Sequence, residues 1–203
     1  MADVYGRLTG NPAVALGTLG PGATNLVTGV ANANMDRSPM IALTAQGDVQ
    51  SQHKESHQVI DVVSMYRPIT KWATTIRHPD NIPEVVRKAV RTCRSEKPGA
   101  VLVELAEDIA GQDAAGEPLE PRRFRRPRSD DKEIDQAFEM LRAARRPVII
   151  AGNGTIRRRA SSELRRFCEL TGIGVISTFM AKAASTWMPT TVYSRSACSS
   201  ATN

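Results

Sequence analysis

Apolar residues along the chain gather into short runs separated by amphipathic stretches. Runs at 13–17 (AVALG), 40–45 (MIALTA), 100–105 (AVLVEL), 148–151 (VIIA) and 174–178 (GVIST) have the length of strands. The first four are continuous rather than alternating, the pattern expected of strands buried on both faces of a parallel sheet. Helical spacing of apolar positions predicts helices over 22–33, 81–94, 131–144 and 158–170. Asp80 is the expected cap of the second, with Pro83 in its first turn, and Asp130 the expected cap of the third. Strands alternating with helices place the chain in the α/β class, with a parallel sheet and crossover connections.

The periodicity breaks twice. A stretch at 111–130, rich in Gly, Pro, Glu and Arg, reads as a linker between a first domain over 1–110 and the start of a second α/β domain over 131–184. From 185 to 203 neither period is present, and this tail is not expected to pack. Composition adds little to that picture: 41% hydrophobic and 24% charged residues suit a soluble globular chain. No apolar run approaches the roughly 20 residues of a membrane helix, and no signal peptide is visible, so a cytoplasmic protein without membrane partners is expected. Cys93, Cys168 and Cys198 are widely spaced and read as unpaired thiols, with no metal site implied. The net charge of +6 is local, because 121–166 holds 14 Lys and Arg against 6 Asp and Glu. Its densest part, 121–128 (PRRFRRPR), is read as a solvated linker; with Phe124 as its one aromatic residue it offers no stacking platform for nucleic acid.

Candidate chemistry concentrates in Thr18-Leu19-Gly20-Pro21-Gly22-Ala23-Thr24-Asn25, between a predicted strand and a predicted helix. Two glycines around a proline allow a tight turn and a close backbone approach to a ligand. The helix that follows opens with free N–H groups, and Asn25 lies in its first turn. A bare Gly-Pro-Gly is more often only a turn. His57 in a polar loop reads first as a solvated group, and Lys71 in a strand-like run as an edge lysine. Gly152-Asn153-Gly154 lacks the third glycine of a dinucleotide fingerprint and reads as a strand-to-helix turn.

The combined pattern is more specific than its parts. GRLTG at 6–10, the GPGATN turn, SPMIALTAQ at 38–46, His57-Gln58, YRPITK at 66–71, EKPGA at 96–100, RPVI at 146–149 and LTGI at 170–173 together resemble thiamine-diphosphate-dependent enzymes. Within that family the chain looks most like the large subunit of acetolactate (acetohydroxyacid) synthase. The resemblance implies a pyrimidine-binding domain followed by the start of a central Rossmann-like domain. It sets Thr18, Gly20, Pro21, Gly22, Asn25 and Gln46 beside the cofactor, and His57, Gln58 and Lys71 near a substrate channel. Two positions depart from the pattern. The family carries serine where this chain has Leu19, and an aromatic residue precedes the glutamine in most biosynthetic members where this chain has His57, as in the catabolic, flavin-independent branch.

By the same resemblance the complete enzyme uses thiamine diphosphate and Mg²⁺, with FAD in some members. It works as a homodimer or tetramer and condenses 2-oxo acids with loss of carbon dioxide. The activating glutamate is expected upstream of Met1, so no catalytic residue is assigned in this chain, and the metal site belongs to a third domain. Met1 then reads as an internal methionine and the polypeptide as a fragment, inactive alone. Two alternatives are another thiamine-diphosphate decarboxylase or carboligase, and a non-catalytic module that pairs with a complete subunit. The fragment reading predicts that the flanking DNA encodes an in-frame His-Glu segment upstream and, near Ser185, a shifted frame that continues the family pattern; authentic start and stop signals at these positions would overturn it.

Overall fold

The computed structural model describes residues 1–54, 56–120, 129–157 and 159–182. The predicted basic stretch at 121–128 and the tail at 185–203 lie outside them. Two compact units divide the chain near Phe124, and each is described by itself.

The first unit is built on a four-stranded parallel sheet: β1 (Ala13–Gly17), β2 (Met40–Gln46), β3 (Trp72–Ile76) and β4 (Ala100–Ala106), in the order β1-β2-β4-β3. Around it run α1 (Ala2–Thr9), α2 (Pro21–Met35), α3 (Val62–Tyr66), α4 (Ile82–Arg94) and α5 (Glu107–Ala110). The chain steps from β1 through α2 to β2, and through α3 past one position to β3, then turns back through α4 to β4. Right-handed crossovers that run in opposite directions must lie on opposite faces of a sheet. Accordingly α2 and α3 share one core with Met40, Ala42, Ala100 and Leu102. The opposite core joins Ala89 and Cys93 of α4 to Ile41, Val101 and Val103.

Small residues let α2 lie close to the sheet, with Ala23, Val30 and Ala33 all fully buried along one side. The buried Tyr66 hydroxyl, at the end of α3, donates to the Ala23 carbonyl at 2.6 Å and fixes the start of α2. Burial pushes that phenol up to about 12. At the far end of the helix, Arg7 of α1 bridges Asp3 and Asp36.

β2 and β4 are buried on both faces as their continuous apolar runs require. β1 is not: Ala13, Ala15 and Gly17 face the α2 core, but Val14 and Leu16 remain 59% and 74% exposed. It is an edge strand, and α4 covers the sheet only over β2, β4 and β3. The second helix begins at Ile82 behind a short 3₁₀ turn, so Asp80 does not cap it; its carboxylate accepts from the Ala115 N–H instead.

The second unit contains α6 (Asp131–Ala143), β5 (Val148–Ala151), α7 (Asn153–Arg157), α8 (Ser161–Thr171) and β6 (Gly174–Ser177). Asp130 caps α6 as expected, accepting from the Lys132 N–H. β5 and β6 pair in parallel over a small core of Ala151, Cys168 and Val175. β5 also has one open face, with Val148 and Ile150 exposed. Gly152 is the strand-to-helix junction between β5 and α7, and Asn153 and Gly154 already belong to the first turn of α7.

The first unit's core yields a graded stability series. Tyr66→Phe, which removes one buried hydrogen bond, should cost about 1 kcal/mol. Leu102→Ala, which leaves a cavity between β4 and α2, should cost about 2–5 kcal/mol. Urea unfolding followed by circular dichroism checks both, and an inverted order would mean that the sheet does not carry the core.

Candidate functional site

Parallel strands bring their carboxyl ends to one edge of the sheet, where ligands of open α/β sheets are bound. Here that edge carries the turn after β1, the last residue of β2, and the ends of β3 and β4.

The turn is set by close contacts that only glycine permits. A Cβ at Gly17 would lie 2.7 Å from the Gly22 carbonyl oxygen, and one at Gly22 would lie 2.5 Å from Thr18 Cγ2. Gly20 has φ +54 and ψ −114, and a Cβ there would meet Gln58 Cβ at 2.7 Å and its carbonyl oxygen at 2.8 Å. Pro21 then opens α2 with the φ a first helical residue needs. The Gly22 N–H, read from sequence as free, donates to the Leu19 carbonyl at 3.2 Å and closes the turn. Thr18, Pro21 and Asn25 are exposed. Asn25 makes no side-chain hydrogen bond among the described residues, so its carboxamide is open to an incoming group.

His57 and Gln58 come to this turn from the loop between β2 and α3. Both are exposed, and Gln58 has φ +59 where its backbone lies against Gly20. The structure thus gathers Thr18, Gly20, Pro21, Gly22, Asn25 and Gln58 into one region, with His57 next in sequence.

Gln46 is placed differently from the sequence expectation. It ends β2 at the same edge but is only 4% exposed, and its carboxamide is engaged inside the chain. Its Nε2 donates to the Ile60 carbonyl at 2.8 Å and to Glu104 Oε2 at 3.1 Å, and its Oε1 accepts from the Gly47 N–H at 3.1 Å. Lys71 lies at the opposite edge, where it precedes β3 and its N–H donates to the Ala100 carbonyl at 2.8 Å. Its ammonium donates to the Thr92 and Ser95 carbonyls and to Ser95 Oγ, closing the carboxyl end of α4. A cation satisfied by the last carbonyls of a helix is not gathered with the turn, and burial lowers the pKa of this ammonium.

From sequence, Glu104 is one of the acids, with Glu107 and Asp108, that do not replace the absent activating glutamate; the structure makes it the most buried acid at this edge. Glu104 of β4 is 4% exposed, and its Oε1 accepts from Thr75 Oγ1 of β3 at 2.7 Å while Oε2 accepts from Gln46. Burial raises its pKa; the Thr75 and Gln46 hydrogen bonds oppose that rise, and nearby Asp61 adds to it. The signal in the sequence was a single acid inside the apolar run AVLVELA. Among the described residues no three His, Cys, Asp or Glu side chains converge to hold a metal ion, and no helix is long and apolar enough to cross a membrane.

Two measurements follow from this geometry. Gly20→Ala must force a Cβ against Gln58 at a backbone angle unsuited to alanine, and should cost about 1–3 kcal/mol in urea unfolding. An unchanged midpoint would show that the loop yields freely. For Glu104, a folded-state pKa above the ordinary 4.5 means that between 4.5 and the raised value the folded chain holds a proton the unfolded chain releases, and above it the carboxylate is ionised. Its contribution is therefore most favourable at low pH and is lost as pH rises from about 4.5 through the raised value. Glu104→Gln should flatten that part of the stability profile, and identical profiles for the two proteins would remove the buried acid as the cause.

Comparison with known proteins fits this arrangement. Residues 1–65 match the family model "Thiamine pyrophosphate enzyme, N-terminal TPP binding domain", and residues 134–190 match its central domain. Glyoxylate carboligase of Escherichia coli O157:H7 is 38% identical over 183 residues, 89% of this chain and 31% of that protein. Acetolactate synthase of Mycobacterium bovis is 37% identical over 187 residues, 90% of this chain and 30% of that protein. The acetolactate synthase large subunit of Corynebacterium glutamicum is 36% identical over 184 residues, 89% of this chain and 29% of that protein. The chain thus spans under a third of the length of these relatives. With two successive domain models of one family matched in order, and the turn built as described, the chain belongs to the thiamine pyrophosphate enzyme family.

Proposed function

We propose that this chain forms part of the cofactor-binding wall of an acetolactate synthase, which condenses two pyruvates, or pyruvate and 2-oxobutyrate, with loss of carbon dioxide. The observation that carries the reading is the turn at 18–25, whose Gly20 and Gly22 leave no room for a Cβ, at the carboxyl edge of the sheet and flanked by the open Asn25 carboxamide. Acetolactate synthases recur among the relatives and support the finer assignment.

The residues present fit a flat heteroaromatic ring. Gly20 and Gly22 leave backbone where a side chain would otherwise stand, Pro21 stiffens the approach, and Asn25 offers both a donor and an acceptor. Gly20, Pro21, Gly22 and Asn25 would hold the pyrimidine end of thiamine diphosphate, with Thr18 at its margin. When bound, that cofactor supplies the electron sink for decarboxylation. The chain's own residues would orient and enclose it: Asn25 would hydrogen-bond the ring, the turn would limit its depth, and His57 and Gln58 would border the approach. Neither Mg²⁺ nor a flavin is assigned to residues of this chain, and the activating carboxylate is assigned to another part of the longer protein.

A second reading is glyoxylate carboligase chemistry, favoured by a relative of that name with an identity as high as the synthases. The protein encoded by the complete gene separates the two. With thiamine diphosphate and Mg²⁺ it should release carbon dioxide from pyruvate and form acetolactate, and turn over glyoxylate alone poorly. The reverse preference would transfer the assignment to the second reading, and release of aldehyde without condensation would overturn both. In that protein Asn25→Ala should weaken thiamine diphosphate about ten-fold by fluorescence titration, at the scale of one buried hydrogen bond. Its unfolding midpoint should stay put, because Asn25 serves no partner within the described residues.

A further inference from the structure

The loop between β2 and α3 brings Gln58 onto the Gly20 turn, and one side chain holds both of its ends. Gln46 Oε1 accepts from the Gly47 N–H where the loop begins, and Gln46 Nε2 donates to the Ile60 carbonyl where it ends. The two ends also pack together, since a Cβ at Gly47 would stand 2.9 Å from Val59 Cγ2. A carboxamide on a three-bond stem is free to rotate unless something holds it. Here that is Glu104, whose Oε2 takes the second Nε2 hydrogen and thereby decides which end of the carboxamide is nitrogen. Glu104 is itself held by Thr75, and the three residues come from the adjacent strands β2, β4 and β3.

We propose that Glu104 is a positioning residue that acts through Gln46: it orients the carboxamide that closes the loop, and so sets Gln58 against the turn at Gly20. The charge sits in the sheet for this purpose. A carboxylate inside an apolar strand costs free energy unless its acceptors are used, and both Glu104 oxygens are used. An ionised carboxylate only accepts, so the Gln46 Nε2 must face it, which leaves Oε1 toward the Gly47 N–H. Neutral glutamine at 104 can still accept from Gln46 through its own oxygen, with the Thr75 hydroxyl turned round to receive its NH₂. Leucine at 104 can do neither.

Hydrogen exchange on the 203-residue chain tests the loop directly. Glu104→Leu should raise exchange in peptides from the β2–α3 loop about ten-fold or more, while α2 and α4 keep the parent protection; Glu104→Gln should stay close to the parent. Gln46→Met keeps the stem length but cannot bind Gly47 or Ile60, and should loosen the same loop. That variant carries the test if Glu104→Leu fails to fold. Loosening by Gln46→Met without loosening by a folded Glu104→Leu would overturn the role of Glu104. So would equal loosening of every element, which marks an ordinary core residue. The consequence for turnover rests on the proposed function: in the complete enzyme Gln46→Met should raise KM for the oxo acid or the cofactor several-fold more than it lowers kcat, with Glu104→Gln near the parent. Because exchange needs no activity, a failed carboligase assay and a failed positioning role remain distinguishable.

Discussion

The start of α2 lies closer to the end of β1 than any side chain would allow, and much of the first unit follows from that contact. Gly17 and Gly22 meet through backbone atoms, and Thr18 fills the space beside Gly22. The helix leaves the strand at a fixed angle, with Pro21 as its first residue and Tyr66 hydrogen-bonded to its first turn. Ala23, Val30 and Ala33 can then run flat against the sheet. Their small size keeps α2 near β2 and β4, so the turn stands directly above the strand ends. A bulkier helix face would lift the whole segment and carry the turn away from Gln58.

The second constraint is polar. An open parallel sheet ends in carbonyls and loops that need partners, and this one meets that need with a buried side-chain network. Thr75, Glu104 and Gln46 hydrogen-bond to one another across three strands, and Gln46 uses its remaining donor and acceptor on the backbone of the β2–α3 loop. Apolar replacements would pack the edge but leave Gly47 and Ile60 without fixed partners. The polar solution holds the two ends of the loop, which matters where a residue such as Gln58 must keep φ +59. At the opposite edge Lys71 performs an analogous closure for α4, with an ammonium in place of a carboxamide.

Local patterning made much of the scaffold readable. β1 and β5 coincide with their apolar runs because a run of four or five such residues between turn signals has few alternatives. β3 went unassigned because WATTI is half polar, as suits an edge strand, and its partner β4 lies far along the chain. The burial of β1 was overstated for a related reason: AVALG reads the same whether or not a helix covers its second face. Short helices such as α1 and α3 carry too few turns for periodicity to show. The turn at 18–25 was legible because its chemistry is local. The partners of Gln46 were not, since Ile60 and Glu104 lie 14 and 58 residues away.

These two classes of residue divide the site's work. Gly17, Gly20, Gly22, Gln46 and Glu104 are bound up in the chain's own geometry, and a change at any of them is first a change in shape. Thr18, Asn25, His57 and Gln58 are exposed, and on the proposed reading theirs are the polar groups that a cofactor or substrate would meet. Carboligation of pyruvate and of glyoxylate makes the same demand on the first class, a rigid wall against the cofactor, so similar identity to both kinds of relative is what a shared scaffold produces. Discrimination between a methyl group and a hydrogen on the oxo acid is a matter of a few contacts, worth about 1–3 kcal/mol. On the proposed reading such contacts belong to the exposed class, and His57, within the loop beside Gln58, is the position from which this chain would make them.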